Sequence, residues 1–105
     1  MTLRYFEGCP HWRAAYDLVM RVLRDEGHDV EPRLETVATE ADAERLDFVG
    51  SPTILIGGRD PFRRPDAPYG LSCRMFQTPE GLRPTPTYEQ LRDALRAARG
   101  PSTGF

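Results

Sequence analysis

Residues 50–58 read Gly-Ser-Pro-Thr-Ile-Leu-Ile-Gly-Gly, and the rest of the chain is read outward from them. Thr53–Ile56 is β-branched and apolar, which predicts a strand. Continuous apolar character implies burial on both faces, hence a central position in a sheet. Gly57 and Gly58 turn the chain away afterwards.

Upstream, Leu3–Phe6 is short and rich in strand formers, so a first strand is expected to end near Glu7. The run Gly8-Cys9-Pro10-His11-Trp12 follows. Pro10 suits the first position of a helix, where its missing N–H is no loss. Trp12, Ala15, Tyr16, Val19 and Leu23 then recur at helical spacing, with Arg13, Asp17, Arg21 and Arg24 on the wet side. Gly27 is expected to stop that helix in the left-handed region. Val30–Thr36 reads as a strand whose Pro32 restricts it to an edge or a strand end. Thr39, with Asp42 three residues on, caps a short helix through Ala41, Ala43 and Leu46.

Downstream, Cys73–Gln77 predicts another strand, and Pro79–Gly81 a turn after it. Thr87 and Gln90 form a capping box for a last helix with Tyr88, Leu91, Ala94, Leu95 and Ala98 on its buried stripe. The order is β-α-β-α-β-β-α. A right-handed crossover through the long helix makes the first two strands parallel. The last two are expected to pair antiparallel across the loop after Gly58. The expected class is α/β, with one four-stranded mixed sheet and helices on both faces.

The chain has 105 residues, which suits a single domain over 1–105, with a core over about 1–98 and a frayed tail over 99–105. Its formal net charge of −2 argues against a nucleic-acid partner. No apolar run approaches the length of a membrane span. Met1–Gly8 has no basic stretch leading into an apolar one, so no secretory signal is expected and the expected location is the cytoplasm. Two cysteines, Cys9 and Cys73, are too few for a disulfide scaffold or a four-thiolate zinc site. In a reducing compartment neither is expected in a permanent disulfide. No cofactor is implied.

The element order, Gly8–Trp12 at the turn from first strand to first helix, and Gly50-Ser51-Pro52-Thr53 before the third strand together resemble the thioredoxin-like superfamily over nearly the whole chain. More narrowly, these stretches and Tyr69–Phe76 look like small bacterial thioredoxin-like proteins. The resemblance implies a redox-active Cys9, and a cis Pro52 beside it whose preceding residue, Ser51, pairs with an extended substrate segment by strand addition. It also shows a departure. The superfamily motif is Cys-x-x-Cys, and Trp12 stands at the fourth position. Cys9-Pro10-His11 matches the start of the Cys-Pro-His-Cys motif of the periplasmic disulfide oxidase, whose first thiol is very acidic.

A helix start favours an anion, and a thiolate is the reactive form of cysteine. On this reading Cys9 is the nucleophile, His11 tunes it when protonated, and Pro10, Trp12, Ser51 and Pro52 shape its surroundings. Without a second motif cysteine, resolution of a mixed disulfide needs an external thiol or Cys73. The plain alternative makes Cys9 a small buried hydrophobe and Trp12 a core residue on the helix stripe.

Gly58–Ser72 is a long connection, and loops of that length in compact domains are often functional. It is read either as a lid over the thiol or as a proline-stiffened, solvated insertion. Arg59, Arg63 and Arg64 are candidate contacts for a carboxylate or phosphate. A plain hairpin register keeps Cys73 remote from Pro52, by about 3.3 Å per residue. That is too far for a bridge to Cys9, since disulfide Cα atoms lie within about 7 Å. A register shift in the loop would bring the two thiols within reach.

The expected function is thiol–disulfide exchange or redox sensing by a single reactive thiol, as in a monothiol oxidoreductase, with a protein or low-molecular-weight thiol or disulfide as partner. The alternatives are a non-enzymatic binding module of the same fold and a protein handling soft metals such as mercury or arsenic. The last requires Cys9 and Cys73 close enough to share one ion.

Overall fold

The backbone of the N-terminal strand runs between two others. In a computed structural model, which describes the backbone of residues 1–63 and 70–103 and the side chains of 1–63 and 70–98, the chain is α/β. Its elements are β1 (Thr2–Tyr5), α1 (Trp12–Asp25), β2 (Arg33–Thr36), α2 (Glu40–Arg45), β3 (Thr53–Leu55), β4 (Phe76–Thr78), β5 (Gly81–Arg83) and α3 (Tyr88–Thr103). The main sheet has the order β2-β1-β3, with β2 parallel and β3 antiparallel to β1. No helix among the described residues is long and apolar enough to cross a membrane.

The two faces of β1 are set by its alternation. Leu3 and Tyr5 are buried, and Leu3 joins the larger core cluster with Ala15, Val19, Val22 and Leu23 of α1, Ile54, and Leu91 and Leu95 of α3. Arg4 lies on the other face. It donates to the Leu46 carbonyl at 2.9 Å, just after α2, and pairs with Glu35 on β2. On that side Phe6 and Leu46 pack against a second cluster of Val37, Ala43 and Phe48. Gly27, at φ +85°, follows α1 in the left-handed conformation expected of it.

Both expected caps form. Thr39 Oγ1 accepts from the Asp42 N–H at 3.0 Å. Thr87 Oγ1 accepts from the Gln90 N–H at 3.1 Å, and Gln90 Oε1 accepts from the Thr87 N–H at 2.9 Å, completing the box. α3 continues to Thr103, past residue 98 where the core is expected to end. Pro101 removes one backbone donor without ending the helix.

Three expectations are corrected. The four-stranded sheet does not form, because Phe76–Thr78 pairs with Gly81–Arg83 in a separate two-stranded sheet. A hairpin across Pro79 and Glu80 closes a far shorter loop than one reaching back across the long connection, so its closure entropy is smaller. β3 is not central. It lies at the edge of the ladder and β1 in the middle. β3 is nonetheless buried throughout, because a later segment of the chain lies along Ser51 just before it. Finally, α1 starts at Trp12 with His11 as N-cap, so Pro10 and Cys9 precede the helix instead of opening it.

Leu91 carries α3 onto the core from a fully buried position. Leu91→Ala is expected to lower unfolding free energy by about 2–5 kcal/mol, measured as a lower urea midpoint with an unchanged slope.

Candidate functional site

Ser51 organises the site through its backbone. Its N–H donates to the Ser72 carbonyl at 2.8 Å, and its carbonyl accepts from the Arg74 N–H at 2.8 Å. This is a single parallel bridge with Cys73 as the register partner of Ser51. The same carbonyl accepts from the Cys9 thiol, with Sγ 3.5 Å away. The two cysteines, 64 positions apart in the chain, thus converge on one peptide group. Both are free thiols.

The plain hairpin that would have kept Cys73 away is absent. Strand pairing past residue 75 belongs to the β4–β5 hairpin, which leaves Ser72–Arg74 free to lie on Ser51. The Ser51–Pro52 peptide bond is cis, and both residues are fully buried. The Ser51 edge that the resemblance reserves for a substrate segment is occupied by the chain's own residues 72–74.

A buried ion pair pins that segment. Arg74 Nη1 lies 2.5 Å from Asp60 Oδ2 and Nη2 lies 3.2 Å from Oδ1, with both side chains less than a tenth exposed. The guanidinium also donates to Thr53 Oγ1 at 3.4 Å and covers the Phe76 ring at 4.6 Å. Thr53 Oγ1 in turn donates to the Gly50 carbonyl at 2.6 Å. Gly50, at φ +131°, makes room for the segment. A Cβ there would lie 3.0 Å from Arg74 Cβ and 3.2 Å from the Ser72 carbonyl oxygen.

The thiols differ in access. Cys9 is 4% exposed, whereas Cys73 is exposed. Burial raises the Cys73 thiol above the ordinary thiol range, and the neighbouring Cys9 adds to this through charge repulsion and a side-chain hydrogen bond. The Cys9 N–H donates to the Phe6 carbonyl at 3.0 Å, so the loop before α1 is a turn closed on itself. The side chain of His11 makes no capping bond, and the Cys9 thiol engages Ser51 instead of the imidazole. Trp12 stacks on Tyr5, ring centroids 4.1 Å apart, and carries the Arg13 guanidinium at 4.5 Å. It therefore packs as the helix stripe implies.

The loop arginines separate. Arg63 pairs with Asp47. Arg59 borders a cleft of about 480 Å³ with Ile56, Asp60, Ala94 and Ala97. Arg64 lies outside the described residues. Sequence reasoning missed Asp60 and Arg74. An arginine inside the otherwise strand-like Cys73–Gln77 was the one signal available, since a cation at a buried position needs a carboxylate.

One polar atom is left over. The Ser51 hydroxyl is buried and has no hydrogen-bond partner on the protein, a state that ordinarily costs about 1–3 kcal/mol.

No family model, no curated protein and no solved structure matches this chain.

Gly50→Ala is expected to cost on the order of 1–3 kcal/mol through its backbone conformation alone and to push residues 72–74 off Ser51. Hydrogen exchange at the Arg74 amide should then speed up more than exchange in α1. Alkylation of Cys73 is expected to inflect above the pH of a free thiol, and Cys9→Ala should move that inflection down. Rates by peptide mass spectrometry across pH 6–11 check both; an inflection at or below the free-thiol value contradicts the assignment.

Proposed function

We propose that this protein is a thioredoxin-like dithiol reductant in which Cys73 is the outward thiol and Cys9 the resolving one. The observation that carries the reading is the convergence of Cys73 and the Cys9 sulfur on the Ser51 peptide. It replaces the single-thiol mechanism expected from Cys9-Pro10-His11-Trp12, because a resolving thiol is already beside the exposed one.

The exchange runs in two steps. The Cys73 thiolate attacks one sulfur of a partner disulfide, that S–S bond breaks, and one partner thiolate leaves and takes a proton. Cys9 then gives up its proton and attacks the Cys73 sulfur of the mixed disulfide, releasing the second partner thiol. The pair loses two electrons as its own disulfide forms, and the partner gains them. A pair whose outer thiol is held protonated lacks the thiolate stabilisation that makes a dithiol site a strong oxidant. The favoured direction is reduction of the partner.

Two observations favour a second reading, a non-enzymatic binding module. Cys9 itself is sealed, and Trp12, Arg13, Tyr16, Asp17 and Leu34 line a cleft of about 410 Å³ beside α1. In that case the thiols stay idle while the cleft holds a partner.

Reaction of the reduced protein with an aromatic disulfide separates the two. The exchange reading expects two probe thiols released per chain and a product lacking two hydrogens. Cys9→Ala should stop at a mixed disulfide on Cys73 with one thiol released. Cys73→Ala should react more slowly, on the order of tenfold or more, because the remaining thiol is buried. A wild-type protein that also stops at the mixed disulfide would exclude Cys9 as the resolving thiol.

A further inference from the structure

The leftover hydroxyl of Ser51 belongs to the residue on which both sulfurs converge. Ser51 and Cys73 are register partners, so their side chains leave the same face of the backbone. The Cys9 sulfur is at the Ser51 carbonyl. A protonated thiol is a weak acceptor, and a hydroxyl donor gains little from it. A thiolate is a strong acceptor of a charge-assisted bond. The Ser51 hydroxyl, buried and without a partner, is therefore matched to a form of the pair in which the sulfurs carry negative charge.

A bound cation holds thiols in that form permanently, and the donor set limits which cation. Among the described residues no group of three or more His, Cys, Asp or Glu side chains could hold a metal ion. The site offers two sulfurs and one hydroxyl. Zinc takes four ligands in a structural site and three with an open position in a catalytic one. Calcium and magnesium take six or more oxygens. A soft cation satisfied by few thiolates is the remaining class, and copper(I) is its common member.

We propose that reduced Cys9 and Cys73 bind one copper(I) ion as thiolates, with the Ser51 hydroxyl donating to a ligand sulfur. Binding displaces the two thiol protons and moves no electrons, so the product is a bis-thiolate copper(I) centre of net charge −1. Formation of the Cys9–Cys73 disulfide removes both ligands, which makes oxidation and copper binding mutually exclusive. The inference rests on the pairing of the two thiols in the proposed function and adds a ligand to it.

The test is an anaerobic titration of the reduced protein with copper(I) against a chromogenic copper(I) chelator, with the aromatic-disulfide reaction run in parallel. One copper(I) per chain is expected, lost in Cys9→Ser and in Cys73→Ser. Cys73 is exposed, so Cys73→Ser keeps the test valid if a buried variant fails to fold. Ser51→Ala should keep the stoichiometry, weaken affinity by about tenfold or more as loss of a ligand's hydrogen-bond partner does, and melt no lower than wild type. Zinc(II) should not bind stoichiometrically in the same assay. Unchanged copper affinity in either cysteine variant or in Ser51→Ala overturns the proposal, as does zinc binding as tight as copper. If the disulfide forms but copper does not bind, the copper site alone fails. If neither occurs, the thiol pairing fails with it.

Discussion

Two peptide hydrogen bonds to Ser51 decide what this molecule can do. They lay Ser72–Arg74 along the edge just before β3, and that contact puts Cys73 beside Cys9. Without it the chain would hold one sealed thiol before α1 and one stray thiol in a loop. With it, two sulfurs share a peptide group. The bonds are few, and their geometry depends on neighbours. Gly50 supplies clearance that no other residue could, and the Arg74–Asp60 pair ties the segment to the start of the same long connection.

That ion pair is buried on both sides, and the energetics of such pairs are asymmetric. Replacing both members with apolar groups is often nearly neutral, while removing one leaves a costly buried charge. Its value here is better described as specificity of register. Asp60 lies just after the Gly57–Gly58 turn and Arg74 just after Cys73, so the bond closes the long loop at a defined point. Thr53 and Phe76 complete the guanidinium's surroundings, which couples the thiol-bearing segment to β3 and to the β4–β5 hairpin at once.

The site also separates access from proximity. The outer thiol is exposed and held protonated, and the inner one is sealed against the Ser51 carbonyl. A motif with both cysteines on one helix turn puts them in a shared electrostatic setting. Here they come from a loop before α1 and a segment after a long connection, so each has its own environment. The hydroxyl of Ser51 is the one buried polar side-chain atom among the described residues that this arrangement leaves without a partner.

Much of the scaffold was legible from local chemistry. The stripes of α1 and α3, the caps at Thr39 and Thr87, the glycine after α1 and the parallel β1–β2 crossover all follow from side-chain spacing, because a helix face or a cap is decided within a few residues. The apolar Thr53–Leu55 was rightly a buried strand and wrongly a central one. Burial is set by whatever covers a strand, and ladder position by which backbones pair. The split of the expected fourth strand into a separate hairpin, and the contact of residues 72–74 with Ser51, lay beyond the sequence for the same reason. Both are competitions between short and long loop closures, settled by partners far apart in the chain. The sequence by itself determined that a cysteine precedes the first helix and that a Ser-Pro pair precedes a buried strand. Only the tertiary structure decided that a second cysteine meets them, because clearance at Gly50 and the Arg74–Asp60 pair exist only once the chain has folded.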